Sequence, residues 1–472
     1  MAVNATAVWR VRTGGSNANG AGFDPAISGA GTDYSQQDTA QLTVTDIACS
    51  ASTTVTSATG GFTSAMIGNA IWITGGGASA GPYFITARTD TNTITVDRTP
   101  GTVTNGTGRV GGAWANPTTN WNATWMVPGV TMYIRGAGSN HPTSIDYTPT
   151  TVATVTGSSN RPIRIIGENG RPMLGASGTT YFVGTWASFE NLCFRFTAAT
   201  ANSPVKSQFG NHTCGMYFCA YDQNGYDSKC LGDVGEWTGN ITRCEFYSSV
   251  AKRTTNARYA LMGSYSYGEQ FVIDRCFLHD LVGPAISLDC GFSLINSVIA
   301  ANGGVGLYMS AASTPSHALI SGNTFAGNAG AANIEIATQV VLNKTRFTDN
   351  IISDHGTAGI KYSGASSSAE ATAWAAIQIR NNLLYNNGAH ASGFTLSSDN
   401  TSGTDPMFRD AANRDYTPRN PAILNTVTVP DPGQTMAAPK TYGVSNRYPG
   451  AIQPLAPPVL APVQTVYMEG AR

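Results

Sequence analysis

The chain reads as all-β, with its latter two thirds wound into a stacked parallel solenoid, and three observations predict this. A short phrase recurs between about residues 190 and 390, Asn and Gly stand at fixed places within it, and no helical periodicity runs through it. The glycines Gly283, Gly303, Gly330, Gly356 and Gly388 are spaced by 20, 27, 26 and 32 residues. Each precedes an alternating apolar pair: Ile286/Leu288, Leu307/Met309, Ile334/Ile336, Ile360/Tyr362 and Phe394/Leu396. Alternation buries one side of a strand and exposes the other. A second apolar run precedes each glycine, as in Cys276-Phe277-Leu278, Ser297-Val298-Ile299, Thr324-Phe325, Ile351-Ile352 and Leu383-Leu384-Tyr385. Before these runs stand Arg275, Asn296, Asn323, Asn350 and Asn381. Asn tolerates the left-handed conformation, so it can turn one strand sharply into the next. A third strand leads in through Phe271-Val272-Ile273, Phe292/Leu294, Leu319-Ile320, Val340-Val341 and Ile377/Ile379. Three short strands cannot make a core alone, but stacked coils enclose one.

With these residues in place, the chain resembles the right-handed parallel β-helix family typified by pectate lyases and phage tailspikes. The resemblance extends upstream to Val127-Pro128-Gly129-Val130-Thr131-Met132-Tyr133-Ile134-Arg135, similar to a first coil, and to Arg161-Pro162-Ile163-Arg164-Ile165-Ile166-Gly167. Downstream, Asp405-Pro406-Met407-Phe408 and Asn420-Pro421-Ala422-Ile423 resemble closing segments of bacterial β-helix proteins. It implies a right-handed, single-stranded parallel β-helix over residues 116–455. It says little about activity, because one scaffold carries many functions.

Residues 1–115 form a separate unit, an N-terminal β-rich attachment module. Thr43-Val44-Thr45, Thr54-Val55-Thr56, Ala70-Ile71-Trp72-Ile73, Tyr83-Phe84-Ile85 and Thr93-Ile94-Thr95-Val96 are short strands at about ten-residue spacing, the pattern of a small barrel or sandwich. The phrase Gly60 to Asn69 resembles a module of phage structural proteins, and Gly101 to Gly108 reads as a hinge before the first coil. Residues 209–270 interrupt the repeat with Tyr, Asp, Lys and Trp, which predicts enlarged loops on one side of the solenoid. Residues 456–472 close the chain as a proline-rich extended tail, in a stretch whose prolines begin at Pro454.

The formal net charge is −1 and 12% of residues are charged, against about 25% in an average soluble protein. This removes the electrostatic case for nucleic acid or a membrane surface. Low charge also predicts that other subunits cover part of the surface. Met1 to Arg10 lacks a basic segment followed by an apolar one, which predicts synthesis in a host cytoplasm without a signal peptide. The sequons at Asn4, Asn105, Asn122, Asn211, Asn240, Asn343 and Asn400 then follow from composition. Seven of eight cysteines fall between Cys193 and Cys290. Cys193, Cys244 and Cys276 occupy similar places in the repeat, so they are expected as buried free thiols in one internal column. Cys214, Cys219 and Cys230 lack the paired spacing of a zinc site, and no metal or cofactor is expected.

Residues at equal offsets in successive coils lie near one another, so candidate sites can be tested for distance. His279-Asp280 and Asp354-His355 suggest acid–base chemistry, but they lie three coils, or roughly 14 Å, apart. Inverting glycosidases need about 6.5–9.5 Å, so these residues are expected to make loop hydrogen bonds. Asp289, Tyr308, Glu335 and Lys361 are expected to form an outward column, with Glu335 and Lys361 in an exposed salt bridge. Under a glycan-binding reading, these four and Trp237 are the ligand-binding residues; no catalytic residue is assigned. Asp222, Asp227, Lys229, Asp233, Glu236 and Trp237 suit either sugar stacking or a subunit interface. Arg275 is of the type that lyases of the resembled family use, but its place beside Asn296 and Asn323 favours a turn.

These features predict a bacteriophage virion structural protein, a capsid decoration, vertex or tailspike-like projection that contacts other capsid or tail proteins and a host-surface polysaccharide. A homotrimer follows by resemblance to tailspikes. The alternative is a polysaccharide lyase or glycoside hydrolase of tailspike type; a third reading is a bacterial surface adhesin.

Overall fold

A computed structural model describes residues 3–423 apart from short stretches between 141 and 366, the longest being 231–239, 252–258, 264–270 and 311–317. The proline-rich tail lies outside the described residues. Each regular coil carries three strands, for example Phe292–Ile295, Val298–Ala300 and Leu307–Met309, followed by Ala318–Ser321, Thr324–Ala326 and Ile334–Ile336. Every strand pairs in parallel with its counterpart one coil on: Leu294 faces Ile320, Ile299 faces Phe325 and Leu307 faces Ile334. Corresponding strands thereby align into sheet 1, ending at Ile379–Arg380, sheet 2, from Met173–Ala176 to Thr401–Ser402, and sheet 3, from Leu261–Gly263 to Ala389–Ser392. In earlier coils Ala153–Thr156, Phe182–Thr185 and Val205–Ser207 take the place of sheet 3 in chain order. The molecule is mostly β, with long parallel sheets consistent with a right-handed β-helix.

The core is a set of vertical columns. Phe189, Met216, Ile241, Ile273, Leu294, Ile320 and Phe347 point inward from sheet 1, and Phe194, Tyr221, Phe246, Leu278, Ile299, Phe325 and Ile352 from sheet 2, all fully buried. Phe194, Tyr221 and Phe246 stack face to face at 5.1 and 5.0 Å. Each such side chain contributes on the order of 1.5–3 kcal/mol by leaving water.

Between sheets 1 and 2 the chain turns on one left-handed residue: Asn191, Phe218, Arg243, Arg275, Asn296, Gly322, Asp349 and Asn381 all have positive φ. The residue after it points inward. At Arg275, Asn296 and Asn381 the turning residue is the one expected from sequence. At Asn323 and Asn350 the expectation is off by one: Gly322 and Asp349 turn the chain, and the two asparagines are buried beneath. Their amides form a ladder. Asn350 Oδ1 accepts from Asn323 N (2.9 Å) and Nδ2 (3.0 Å), while Asn350 Nδ2 donates to Ile320 O (3.0 Å) and Asn382 Oδ1 (2.8 Å). Asn382 repeats this with Asn400, and Ser297 closes the other end by donating its N–H to Asn323 Oδ1.

The same column continues upstream as Cys276, Cys244 and Cys219, whose thiols donate to backbone carbonyls such as Ile241 O, Thr242 O and Phe189 O. The six cysteines with described side chains are buried and free. Cys193 is not in this column, as the sequence suggested. It pairs with Ala220 on the outward face of sheet 2, because Leu192 is the residue that follows the corner at Asn191.

Other expectations are corrected. Val340-Val341 lies in helix α1, Gln339–Lys344, and the lead-in strand is Thr345–Thr348. Ile377 ends helix α2, Ser368–Gln378, so Ile379–Arg380 alone is strand. The Ser367 side chain caps α2 by accepting from Glu370 N, and only the small Ala371 and Ala375 are buried, too faint a stripe to register as helical periodicity. After Gly388 the strand is Ala389–Ser392 rather than Phe394/Leu396.

The division at residue 115 also changes. Val8–Val11 pairs in parallel with Thr131 to Ile134, so the first rung of the β-helix precedes the small unit in sequence. Trp9 and Val11 are fully buried while Val8 and Arg10 alternate with them, which seals the stack. Leu42–Ser50, Thr54–Ser57, Thr93–Val96, Gly81–Arg88, Ala70–Thr74 and Thr102–Val110 close antiparallel into a barrel inserted between these rungs. Gly101 to Gly108 is largely a barrel strand rather than a hinge: a Cβ at Gly108 would lie 2.9 Å from Ile71 Cδ1, so glycine permits close packing there. Trp9 and Trp114 stack at 4.9 Å, with Phe84 and Trp72 of the barrel against them, joining the two parts.

The ladder predicts a measurable asymmetry. Asn350→Ala leaves several buried groups unpaired at roughly 1–3 kcal/mol each, whereas Cys244→Ala forfeits a small apolar side chain at about 1–2 kcal/mol. Chemical denaturation should show Asn350→Ala as the clearly larger loss; equal losses would mean that the amides do not carry the column.

Candidate functional site

Two flanks of the β-helix carry the candidate side chains. On sheet 3, Leu307/Met309, Ile334/Ile336 and Ile360/Tyr362 face the core, so Tyr308, Glu335 and Lys361 face outward. Parallel register sets Ser287, Tyr308, Glu335 and Lys361 one above another. The aligned position below Tyr308 is therefore Ser287, not Asp289. Asp289 and Trp237 lie outside the described residues, as do Asp227, Lys229, Asp233 and Glu236.

Glu335 Oε1 accepts from Lys361 Nζ at 3.2 Å and from Ser363 Oγ at 2.6 Å. The expected ion pair is present, although its side chains are 18% and 34% exposed and so half-buried rather than fully exposed. Tyr259, absent from the sequence-derived column, leans across the small Ser287 rung and stacks on Tyr308 with ring centroids 5.8 Å apart. Burial, then Tyr308 and Glu335, push its phenol up to about 12, so it remains a neutral donor. Tyr259 belongs to the irregular segment, and no repeat position marks it in the sequence. Two aromatic faces beside a carboxylate, an ammonium and a hydroxyl can stack on a sugar ring and hydrogen-bond its hydroxyls.

On sheet 2 the outward face carries charge. Asp222, one of the candidates in the irregular region, is fully buried; it accepts from Arg195 Nε at 2.7 Å and from the N–H groups of Asn224 and Ser249, both at 2.8 Å. This is a structural role. Further along, Arg171 Nη1 lies 3.3 Å from Glu245 Oε2, Glu245 Oε1 lies 3.2 Å from His279 Nε2, and His279 Nδ1 lies 2.9 Å from Asp280 Oδ2. Asp280 in turn takes both Nε, at 2.8 Å, and Nη2 of Arg414. The His279 ring packs between Phe277 and Tyr247, with centroids at 3.9 and 5.8 Å.

His279 and Asp280 thus do more than bond a loop: they tie neighbouring coils to a segment 134 residues away. The second pair stays local, with His355 Nδ1 accepting from Thr357 and Ala358 N–H and Asp354 from Asn386. Arg275 turns the chain and pairs with Asp274. Among the described residues, no group of three His, Cys, Asp or Glu is arranged to hold a metal ion. No helix among them is long and apolar enough to cross a membrane.

Residues 210–373 and 264–405 match a family model described as a right handed beta helix region. The match spans the irregular segment and the regular three-strand coils that follow it, and supports the β-helix family. No curated protein matches the chain.

The sheet 2 network has a signed pH dependence. Burial opposes the charged imidazole, but hydrogen bonds to Asp280 and Glu245 outweigh it and hold His279 above its ordinary 6.5. Burial likewise opposes the Asp280 carboxylate, and His279 with Arg414 outweighs it and holds Asp280 below its ordinary 3.8. The His279 contribution is therefore complete below 6.5 and lost as pH rises through its raised value; that of Asp280 is complete above 3.8 and lost as pH falls through its lowered value. Thermal midpoints of the protein and of His279→Gln should differ most between 3.8 and 6.5 and converge at alkaline pH. A gap that stays constant with pH would show that the imidazole is neutral throughout.

Proposed function

We propose that this chain is a bacteriophage virion structural protein, a capsid-decoration, vertex or tailspike-like β-helical projection whose sheet 3 flank adheres to a host-surface polysaccharide. The carrying observation is the outward column on that sheet, where Tyr259 stacks on Tyr308, Glu335 and Lys361 continue the line one coil at a time, and Ser363 beside Lys361 also bonds Glu335. A straight repeated column suits an extended repeating polymer better than a compact ligand, because each coil offers a similar offset to the next sugar. The match to a right handed beta helix region is compatible with tailspike-like or polysaccharide-active proteins.

In this reading the inserted barrel is the attachment module, contacting other capsid or tail proteins. Its union with the β-helix through Trp9, Trp72, Phe84 and Trp114 suits a projection that transmits load to its base. The rods assemble as trimers, which covers part of a surface low in charge.

The alternative is a polysaccharide lyase or glycoside hydrolase of tailspike type. The observation in its favour is His279 held between Glu245 and Asp280, an imidazole with two carboxylates. Saturated pairing of all three favours a fastening role instead.

Binding of the full chain to surface polysaccharides, measured by calorimetry, should weaken at least about tenfold in Tyr308→Ala, the loss expected when one stacked aromatic is removed. Products should carry no new reducing ends or unsaturated sugars. Product formation abolished by Glu245→Gln would replace adhesion with catalysis, and failure to co-purify with capsid or tail proteins would remove the virion assignment.

A further inference from the structure

Along its later coils sheet 2 buries side chains on both faces, and the outward ones are mostly apolar, with Thr324 and Ser353 among them. Its inward column belongs to the core, yet the outward residues Val298, Ala300, Ala326, Ile351 and Leu383 are also buried, each at most 2% exposed. What covers them is the end of the described chain. After Thr401–Ser402 the chain passes Gly403 (φ +78°) and Met407 (φ +52°) and folds into a hairpin of Phe408–Asp410 with Asp415–Pro418. Tyr416 packs on Val298, Ala300 and Ala326, while Phe408 and Ile423 pack on Ile351 and Leu383.

The hairpin lies along the stack rather than within it. Its two strands form a sheet of their own, and among the described residues they pair in no β-ladder with any coil. Its anchorage to sheet 2 is therefore through side chains. At one end stands the turn from the last coil; at the other, Arg414 in the hairpin turn grips Asp280. From the rung of Asp280 to that of Leu383 is four coil spacings, about 19 Å. The coils beneath are held by parallel ladders above and below, so the two units have different strengths. Units held by side chains alone open at lower free energy than those in continuous ladders.

We propose that residues 405–423 form a hinged strap, fixed at Gly403–Met407 and clasped by Arg414 on Asp280, which opens as a unit and uncovers the apolar strip on sheet 2. The clasp is a charge relay of defined membership. Arg414 comes from the strap, His279 from the end of Phe277–His279 and Asp280 from the corner after it; Glu245 and the Tyr247 ring come from the coil before, and Arg171 lies behind Glu245. Removing the Asp280 charge cuts the relay where it meets the strap and leaves the inward column untouched. The closed strap seals the apolar flank from solvent, and the open strap exposes it.

Amide hydrogen exchange on the full chain tests this, comparing the protein with Asp280→Asn and Arg414→Ala. Both variants should accelerate exchange across 408–419 by at least about tenfold, the loss of one charge-assisted bidentate contact. Amides of the rungs at Phe325 and Ile352 should be unchanged. Trypsin should cut faster at Arg409 and Arg419 in both variants, and binding of an apolar dye should rise. Arg414→Ala alters the strap alone, so it remains informative if Asp280→Asn disturbs the corner. Acceleration of rungs and strap together, or of neither, would overturn the proposal.

Discussion

From the coil of Phe189 onward the stack depends on one corner keeping the same length, whereas one coil earlier the corner is longer and turns on Asn169 and Gly170. From Phe189 to Phe194, Met216 to Tyr221, Ile241 to Phe246, Ile273 to Leu278, Leu294 to Ile299, Ile320 to Phe325 and Phe347 to Ile352, the inward residue of sheet 1 and that of sheet 2 are always five positions apart. One left-handed residue and one buried residue fill the turn each time. Strand register has period two, so adding a single residue here would flip a whole strand and expose its core column. Length variation is therefore pushed elsewhere. Helix α2 is spliced between sheet 3 and sheet 1, and the barrel sits between the first two rungs, without disturbing that corner.

The buried member of the corner shows how chemistry may change while geometry stays fixed. Along the stack it runs Leu192, Cys219, Cys244, Cys276, Ser297, Asn323, Asn350 and Asn382. Leucine and cysteine fill space with weak polarity, whereas an asparagine must bond at both ends of its amide or cost more than it contributes. The asparagines accordingly occur as an unbroken run whose ends are closed. Ser297 Oγ takes the Cys276 N–H at 3.0 Å, and Asn400 Nδ2 reaches Ile379 O at 2.8 Å. A lone asparagine among the cysteines would lack these partners.

The corner is also what made the β-helix legible in the sequence. Glycine spacing and repeated apolar pairs located sheets 2 and 3, and with them the ion pair of Glu335 and Lys361. The features that escaped are those without a vertical neighbour of the same kind. Val8–Val11 is one rung separated from its partner by the whole barrel; α2 buries only two alanines; Tyr259 lies in an irregular segment. The partnership of Arg414 with Asp280 spans 134 residues, and although Asp280 holds a repeated corner, Arg414 has no repeat position to betray it. Asn323 and Asn350 misled for another reason: asparagine suits both a left-handed turn and a buried ladder, and only the neighbouring Gly322 and Asp349 decide between them.

The two decorated flanks divide the work of the scaffold. A β-helix coil has an outward residue at every second strand position, so each sheet must either meet solvent or be covered. Sheet 3 meets solvent with Tyr308, Glu335 and Lys361, whose ion pair is half-buried and adds little to stability. Along its later coils sheet 2 is largely apolar outside as well as in, and there the chain returns over itself with Phe408, Tyr416 and Ile423. Covering one flank this way stiffens the stack from a side where no further ladder bonds can form. It leaves the opposite choice, an open polar column, to sheet 3.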